Sequence, residues 1–282
     1  MGVQPIRSHY AANSRFAPSA RQRKLQIALN IRGSRSAARC SGIGSVMHSV
    51  ISVPESRSEA PASTPTSSAP LVAREAALII DAERPRSCFV EIIPYPHPTL
   101  RHVSKPIRRV DQELINIIRS MFDSMYEARG IGLAANQVDL PLRFFIVNLE
   151  AERGKGDELV FINPVVSHPK GSEESEEGCL SLPGLYGDVV RPKSIRVNAY
   201  SLEGKEVTID ATGMLARVIQ HELDHLNGVL FIDKMSEAKQ ASFRDALNEF
   251  EVDFNSRRTT GSVPSDEELT ARRTDWENRY CR

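Results

Sequence analysis

The amino-acid sequence predicts an α+β fold, and two observations support that class. Segments rich in β-branched and aromatic residues occur in runs, and so do segments with helical periodicity, without the regular alternation that a parallel sheet requires. A helix over residues 212–227 carries two histidines, and a C-terminal helix is predicted over residues 236–254. We therefore expect antiparallel or mixed sheets packed around the histidine-bearing helix, with the last helix following it in the chain.

Two strand pairs are predicted in the middle of the chain. Residues 142–149 and 159–166 are rich in β-branched and aromatic side chains and are joined by a loop that contains glycine, which is typical of neighbouring strands. Residues 194–200 and 206–209 are separated by a short turn at Gly204, which predicts a hairpin.

A long helix is predicted before these strands, over residues 111–129. Asp111 is suited to the N-cap position, and Gly130 is suited to the left-handed residue that ends many helices. The apolar side chains of this segment recur at intervals of three and four, as one buried helix face requires. They are Leu114, Ile117, Ile118, Met121 and Met125.

Residues 1–54 differ in composition from the rest of the chain. They contain seven arginines, one lysine and no acidic residue. Acid-poor segments rich in Arg and Ser are typical of organelle transit peptides, with a disordered basic tail as the alternative. Residues 55–87 begin with a stretch rich in Pro, Ser, Thr and Ala and are interpreted as a linker. The folded domain is predicted over residues 88–255, followed by a polar tail, 256–282, with a helical turn at 267–273.

Charge and cysteine content exclude several classes of protein. Residues 55–282 carry 28 basic and 36 acidic residues, so they lack the excess of positive charge that sequence-specific nucleic-acid binding needs. No apolar run approaches the about 18 residues of a membrane-spanning helix. The cysteines are few and scattered, which argues against a disulfide scaffold and favours a reducing compartment. They are Cys40, Cys88, Cys179 and Cys281.

The histidine-bearing helix contains the pattern H-E-x-x-H. His221 and His225 are four residues apart, a step of about 400° on a helix, so both imidazoles lie on one face and can reach one metal ion. Glu222 lies beside that ion without being aligned to bind it, as the general base does in metalloproteases of this pattern. The alternative is a surface helix with two histidines.

A catalytic metal needs a third protein ligand, and the sequence leaves several sources open. The extended pattern H-E-x-x-H-x-x-G-x-x-H would place it at position 231, but Phe231 cannot bind a metal. Glu237 or Glu249 could supply a carboxylate from a following helix, as in thermolysin-like sites. Cys179 stands in a glycine-containing turn, although a lone cysteine is more often a small buried apolar residue.

Three stretches of the sequence resemble the three motifs of peptide deformylase, in that family's order. They are GIGLAANQ at residues 130–137, EGCLS at 177–181 and QHELDH at 220–225. LPGLY at 182–186 and YPHPTLR at 95–101 also resemble the family, and the similarity covers about residues 89–250. Two positions depart from the family pattern: Asn136 stands where Pro or Thr is common, and His97 stands where Asp is common.

The resemblance implies a hydrolase that removes the formyl group from N-formylmethionine at the start of new polypeptides. It implies a Cys/His/His metal site made by Cys179, His221 and His225, with a fourth position open to water. This ligand set suits Fe²⁺ or Zn²⁺, and the family typically uses Fe²⁺, so Fe²⁺ is expected first and Zn²⁺ second.

The resemblance also implies the roles of residues around the metal. Glu222 accepts a proton from water and returns it to the leaving amine. The Gln137 side-chain amide and the Leu180 backbone N–H stabilise the oxygen that gains negative charge. Glu177 orients a metal ligand rather than reacting.

A pocket for the methionine side chain is predicted beside the metal. Met214, Arg217 and Val218 lie seven, four and three residues before His221 and so face the same side of the helix. Core packing is the alternative for Met214 and Val218. The pocket is expected to be completed by Ile131 and Gly132, and the family's peptide-binding loop by Gly184 and Tyr186.

The expected partners are nascent peptides that begin with N-formylmethionine. The 177–186 stretch looks more like the plastid-type branch of the family than the mitochondrial one, so a chloroplast location is expected, with the mitochondrion second. The helix over residues 236–254 could also dock on an organellar ribosome. Two alternatives remain open: an H-E-x-x-H metallopeptidase, and a ribosome-associated module with a vestigial site.

Overall fold

The computed structural model describes residues 90–282, so the predicted transit peptide (1–54) and linker (55–87) lie outside the described residues. Within this range the chain forms seven strands and five α-helices, and short 3₁₀ helices precede or connect them. None of the helices in this range is both long and apolar enough to span a membrane. The predicted boundaries at residues 88 and 255 stay predictions.

Five strands form one antiparallel sheet in the order β1-β2-β3-β6-β7. The predicted pairing of the first two segments is confirmed, with Phe145 opposite Phe161. The predicted hairpin is also confirmed, and its turn contains Gly204 at φ 73°. The five strands are β1 Gly132–Ala134, β2 Phe144–Val147, β3 Leu159–Lys170, β6 Ser194–Tyr200 and β7 Glu206–Thr212.

A separate two-stranded antiparallel sheet contains β4 (Glu173–Cys179) and β5 (Leu182–Arg191). The register shifts between Gly178 and Cys179, at the end of β4. A bulge of this kind redirects the side chain that follows it. The two sheets together with the helices confirm the predicted α+β class.

The first helix, α1 (Gln112–Glu127), begins as predicted, because the Asp111 side chain accepts a hydrogen bond from the Leu114 N–H at 3.0 Å. The predicted end was wrong. Arg129, at φ 57°, is the left-handed residue, and Gly130 is not. A Cβ at Gly130 would lie 2.6 Å from Leu180 Cδ1, so a larger residue there would displace the Leu180 side chain.

The second helix, α2 (Gly213–Leu226), confirms the predicted central helix. Thr212 is its N-cap residue, and the chain leaves the helix through Gly228 at φ 72°. One face packs against strands β2, β3, β6 and β7 in a single apolar cluster. The residues that α2 buries in this cluster are Ala216, Val218, Ile219 and Leu226. This packing fixes the orientation of the two histidines on α2.

The C-terminal region is more helical than predicted. The helix expected over residues 236–254 is divided at Phe243 into α3 (Glu237–Ser242) and α4 (Arg244–Thr259). Residues 267–273 are helical as expected, but the helix is longer than predicted, because α5 spans Asp266–Tyr280. Its Tyr280 is fully buried in one apolar cluster with α1 and with Ile107, which precedes α1.

Candidate metal centre

Three predicted ligands lie together at the junction of the small sheet and α2. The ligand atoms of Cys179, His221 and His225 all lie within 4.8 Å of one another. Cys179 Sγ is 3.2 Å from His225 Nε2, and the two imidazole centroids are 4.9 Å apart. The helix supplies the histidines one turn apart, and the bulged end of β4 supplies the thiol. The structure thus brings together the predicted Cys/His/His group.

The alternative third ligands are not part of this group. Glu237 and Glu249 are exposed, and neither belongs to the metal-binding group that is found within residues 90–282. Phe231 is buried beside the site, with its ring centroid 6.3 Å from that of His221. Phe231 therefore places an apolar ring at the position where the three-histidine pattern would have its third ligand.

The Glu177 carboxylate orients His221. Glu177 Oε2 lies 3.1 Å from His221 Nδ1, so the other ring nitrogen is left for a metal. Two arginines, Arg191 and Arg217, donate to the same carboxylate. Burial raises the pKa of Glu177, but the hydrogen bonds from His221 and Arg191 outweigh burial and hold it at about 2. Glu177 is therefore a carboxylate that does not exchange protons near neutral pH.

Arg191 supports the residues around the metal ligands, although no sequence motif pointed to it. Its Nε and Nη2 donate to Glu177 at 2.6 and 2.9 Å, and its Nη1 donates to Asp224 at 2.7 Å. It thereby joins β4, β5 and the metal-ligand helix. The signal that could have found it is the alternation along β5, where Gly187, Val189 and Arg191 are all buried in the structure. An arginine in phase with a buried strand face requires an acidic partner.

Glu222 lies next to the ligands and is 3% exposed. Its Oε2 has no hydrogen-bond partner among the described residues. Burial raises the pKa of Glu222 to about 7. A Cβ on Gly132 would collide with Glu222 Oε1 and would lie 2.8 Å from Val218 Cγ1, which explains the glycine at this position. A carboxyl group with this pKa can accept and return a proton near neutral pH.

The two ligand imidazoles differ in their charge. Burial lowers the pKa of His221, but Cys179 and Glu177 outweigh burial and raise it to about 10. Burial and the neighbouring His221 lower the pKa of His225 well below its ordinary value. A metal ion bound here must displace the His221 proton, so metal affinity is expected to fall with falling pH.

Gln137 faces the thiol of Cys179. Its Oε1 accepts a hydrogen bond from the Ala134 N–H at 2.8 Å, which fixes the amide orientation. Its Nε2 lies 3.5 Å from Cys179 Sγ and 3.2 Å from Ser181 Oγ. Leu180 directly follows Cys179, and its side chain contacts the position of Gly130. The two predicted oxyanion donors therefore belong to segments that flank the metal ligands.

Asn136, one of the two positions that depart from the family pattern, makes a specific contact in the structure. It is fully buried, and its Nδ2 donates to the backbone carbonyl of His225. Its side chain thus links the segment that carries Gln137 to the end of the metal-ligand helix. Nothing in the residue pattern indicated this contact, because Asn136 and His225 are far apart in the chain.

The residues predicted to line the methionine pocket occupy different environments. Val218 is buried, and Ile131 packs against the same apolar cluster. Met214 is 43% exposed, so it is not the core residue of the alternative interpretation. The Arg217 guanidinium donates to Glu177 and to the Val189 and Glu173 carbonyls, so both of its terminal nitrogens are hydrogen-bonded.

The two residues predicted in the peptide-binding loop lie on β5. Gly184 has φ 83°, and no atom lies within 4 Å of the position that its Cβ would take. Tyr186 packs against Gly178, where an added Cβ would be 2.6 Å from Tyr186 Cε1. The open space at Gly184 suits the close approach of another backbone.

The donor set fits a divalent transition metal. One thiolate and two imidazoles are the ligand types that bind Zn²⁺ and Fe²⁺, and the histidine ligand His221 already has the carboxylate partner that usually fixes the metal-binding tautomer. Three protein ligands also leave the open coordination position of a catalytic site.

Comparison with known proteins supports this interpretation. Residues 89–241 match the family model described as polypeptide deformylase. A peptide deformylase of Rhodopirellula baltica is 47% identical over 191 residues, which cover 68% of this chain and 95% of the relative. Peptide deformylase 1B, chloroplastic/mitochondrial, of Arabidopsis thaliana is 40% identical over 186 residues, which cover 65% of this chain and 66% of the relative.

Solved structures show the same similarity. A crystal structure of Arabidopsis thaliana peptide deformylase 1B matches with a TM-score of 0.58 and 40% identity, over 62% of this chain and 96% of the other. A Plasmodium falciparum peptide deformylase structure matches with a TM-score of 0.57 and 39% identity, over 59% of this chain and 98% of the other. Since the family match spans more than half of its residues, the chain belongs to the peptide deformylases, metallohydrolases that remove the N-formyl group from nascent peptides.

Proposed function

We propose that Cys179, His221 and His225 hold the catalytic cation of this deformylase, with Fe²⁺ as the first choice and Zn²⁺ as the second. One observation carries the proposal: three donor atoms lie within 4.8 Å of one another and have a buried carboxylate beside them. When bound, the cation would act as a Lewis acid that acidifies water and polarises the formyl carbonyl.

Glu222 is the proposed general base and acid. Its Oε2 is buried without a hydrogen-bond partner in the described part of the chain, so it is free to accept a proton from the attacking water. Burial raises its pKa to about 7, and the same group can therefore deliver that proton to the leaving amine nitrogen. Formate and a free amino terminus are the products.

Gln137 and Leu180 are the proposed oxyanion donors. The Gln137 Nε2 lies 3.5 Å from Cys179 Sγ, and its orientation is fixed by the Ala134 N–H on Oε1. A donor held in place before the reaction needs no reorganisation when the formyl oxygen gains charge. The Leu180 N–H comes from the residue after the thiol ligand.

The methionine side chain of the substrate is proposed to lie against one face of α2 and β1. The proposed lining residues are Ile131, Gly132, Met214, Arg217 and Val218, and Arg217 contributes its aliphatic stem while its guanidinium holds Glu177. The peptide backbone after methionine is proposed to run along β5, at Gly184 and Tyr186. The exposure of Met214 supports this arrangement, because an apolar side chain at the rim can cover a substrate.

The proposed location is the chloroplast, with the mitochondrion second. Two plant relatives support an organellar location: peptide deformylase 1B of Arabidopsis thaliana is described as chloroplastic/mitochondrial, and that of Solanum lycopersicum as chloroplastic. Both organelles initiate translation with formylmethionine. Imaging a fluorescent fusion of residues 1–70 would distinguish the two, and a cytosolic signal would contradict both.

Docking of α4 on an organellar ribosome is a further proposal. Val252 is 70% exposed on α4, whereas Phe254 is buried, so the outer face can be changed without disturbing the core. Val252→Asp is expected to reduce co-sedimentation with ribosomes while activity on a short peptide is retained. Unchanged co-sedimentation would contradict this docking.

The proposed chemistry is tested by hydrolysis of formyl-Met-Ala-Ser under anaerobic conditions with Fe²⁺. We expect formate release that Glu222→Ala abolishes while the metal stays bound. Metallated wild-type protein with no activity, or with activity that Glu222→Ala does not change, would overturn the proposal. Metal analysis of protein purified without oxygen identifies the native ion.

Cys179→Ser separates this site from a metallopeptidase site. The deformylase arrangement predicts that Cys179→Ser loses metal while Glu237→Ala and Glu249→Ala retain it. Metal retained by Cys179→Ser and lost by Glu237→Ala or Glu249→Ala would favour the H-E-x-x-H peptidase.

A further inference from the structure

The segment Ala135–Val138 contacts two of the three proposed metal ligands, Cys179 on β4 and His225 on α2. Gln137 reaches Cys179 Sγ at 3.5 Å, and Cys179 Sγ lies 3.2 Å from His225 Nε2. Asn136, the residue before Gln137, donates from Nδ2 to the carbonyl oxygen of His225. These contacts form a closed ring through four residues, so a displacement of one member moves the others.

The Asn136 contact reaches the weakest part of the helix. The last four carbonyl groups of an α-helix lack the regular intrahelical partner. The carbonyl of His225 accepts the Gly228 N–H at 2.9 Å, and Asn136 supplies a further donor from outside the helix. Since His225 is the next-to-last residue of α2, this side chain restrains the part of the helix that would otherwise fray.

The same two residues also carry unmatched polar atoms. Asn136 is fully buried and His225 is 1% exposed. Asn136 Oδ1 and His225 Nδ1 have no hydrogen-bond partner among the residues described. A buried acceptor without a donor destabilises the fold, so the stability of the protein alone does not explain an asparagine here.

We propose that Asn136 is a positioning residue for the deformylase reaction. Its carboxamide holds the His225 imidazole and the Gln137 amide at a fixed separation, so that a metal ligand and an oxyanion donor face one reacting group. The inference rests on the roles proposed above for His225 and Gln137. The alternative is a helix-end contact that serves stability alone.

Asn136→Leu separates the two explanations. Leucine has a similar branched shape, removes the donor to His225 and also removes the unmatched Oδ1. The lost helix-end contact and the lost unmatched Oδ1 have opposite effects on stability, so we expect the melting temperature to be retained. We expect kcat to fall by about 10- to 100-fold with little change in KM, as for other residues that orient metal ligands. We also expect a changed visible spectrum of the Co²⁺-loaded protein, because Co²⁺ absorption reports ligand geometry.

Asn148→Leu is the matched control. Asn148 is also fully buried and donates from Nδ2 to Tyr126 Oη and to the Lys155 carbonyl, at 2.9 Å each. It contacts neither a metal ligand nor Gln137 among its hydrogen bonds. This variant is expected to lose stability while kcat and the Co²⁺ spectrum stay at the wild-type values.

Asn136→Ala provides a second variant if leucine does not fit the site. The expected pattern is the same loss of kcat and spectral change, with some loss of stability from the smaller side chain. Wild-type kcat and an unchanged Co²⁺ spectrum in the folded Asn136 variants would overturn the inference. Wild-type protein without activity or thiolate-to-cobalt absorption would instead contradict the proposed site.

Discussion

Arg191 and Glu177 form a buried bidentate ion pair behind the metal ligands. Arg191 Nε lies 2.6 Å from Glu177 Oε1, and Nη2 lies 2.9 Å from Oε2. The side chains are only 3% and 5% exposed. The remaining guanidinium nitrogen reaches Asp224 on α2, so one side chain restrains both the strand that carries Cys179 and the helix that carries His221.

We predict that Arg191→Met weakens metal binding and destabilises the fold. Removing one partner of a buried ion pair costs about 3–5 kcal/mol, and Arg217, which still pairs with Glu177, should keep the loss near the lower value. Because Glu177 orients His221, the affinity for Zn²⁺ should fall about 10- to 100-fold. Denaturant unfolding and competition with a chromogenic chelator measure the two effects.

Arg196→Met is the control for this prediction. Arg196 makes the same fork to Asp210, at 2.7 and 2.9 Å, but on the exposed surface of β6 and β7. It is expected to leave both the melting temperature and the metal affinity nearly unchanged, since exposed pairs contribute little. Equal losses in the two variants would show that the position of Arg191 is unimportant.

The ion pair also predicts the acid sensitivity of the protein. The pKa of Glu177 falls from its ordinary value of 4.5 to about 2 on folding, so the folded protein keeps a carboxylate that the unfolded chain protonates. This contribution is present above about pH 4.5 and is lost as the pH falls toward 2, and it amounts to about 3 kcal/mol. Unfolding free energies from pH 6 to 2 should show this loss, and Glu177→Gln should show a shallower one. If the unfolding free energies of the wild type and of Glu177→Gln fell in parallel with pH, the low pKa of Glu177 would be contradicted.

Much of the fold was predictable because its elements have strong local signals. The α1 segment has apolar residues at regular spacing and an N-cap at Asp111, and both are found in the structure. The α5 segment has a capping box at Ser265 and Glu268 but no regular apolar face, because only Leu269 and Tyr280 of its residues are buried. That helix is determined by tertiary contacts of a few side chains, which a sequence window does not show.

The metal group was predictable because three short motifs carry it, whereas its supporting contacts were not. Arg191 belongs to none of these motifs, and only the alternation of buried residues along β5 indicates it. Asn136 lies within a motif, yet its contact with His225 joins two distant segments. Contacts of this kind depend on the packing of α2 against the sheet and not on local spacing.

Glu222→Gln should separate chemistry from metal binding. Loss of a general base lowers the rate by about 10²–10⁴, and Glu222 is not among the three grouped ligands, so metal content should stay the same. Because the base must be ionised, wild-type activity should decline as the pH falls, and the residual activity of the variant should lack that decline. Single-turnover rates and metal analysis across pH test this. A variant as active as the wild type would contradict the role of Glu222.

The same variant should be more stable than the wild type at high pH. Burial raises the pKa of Glu222 from 4.5 to about 7, so the metal-free folded protein holds a proton that the unfolded chain releases between these values. Wild-type stability therefore falls over this range by about 3 kcal/mol. This loss is measured by the unfolding free energies of the metal-free wild type and Glu222→Gln at pH 8 and pH 4. A difference in stability between the two proteins that does not change with pH would contradict the raised pKa of Glu222.

Gln137→Glu should lower kcat without changing KM. Glutamate retains an oxygen for the Ala134 N–H and removes the donor that faces Cys179. Loss of one oxyanion donor costs about 10²–10³ in kcat. Gln220→Glu is the control, because Gln220 donates to the Pro192 and Ala216 carbonyls outside the metal group. Similar kinetic losses in the two variants would argue against a transition-state role for Gln137.

Tyr280 should contribute to stability and not to catalysis. It is fully buried, and its hydroxyl donates to Asp111 Oδ1 at 2.9 Å, so the last helix holds the N-cap of α1. Tyr280→Phe removes a hydrogen bond to a charged group, worth about 1.5–3 kcal/mol, and Tyr280→Ala should cost about 3–5 kcal/mol as a cavity forms. The kcat of Tyr280→Phe at 25 °C should equal that of the wild type. Denaturant unfolding and steady-state kinetics test both statements, and a lowered kcat at unchanged stability would mean that α5 takes part in the reaction.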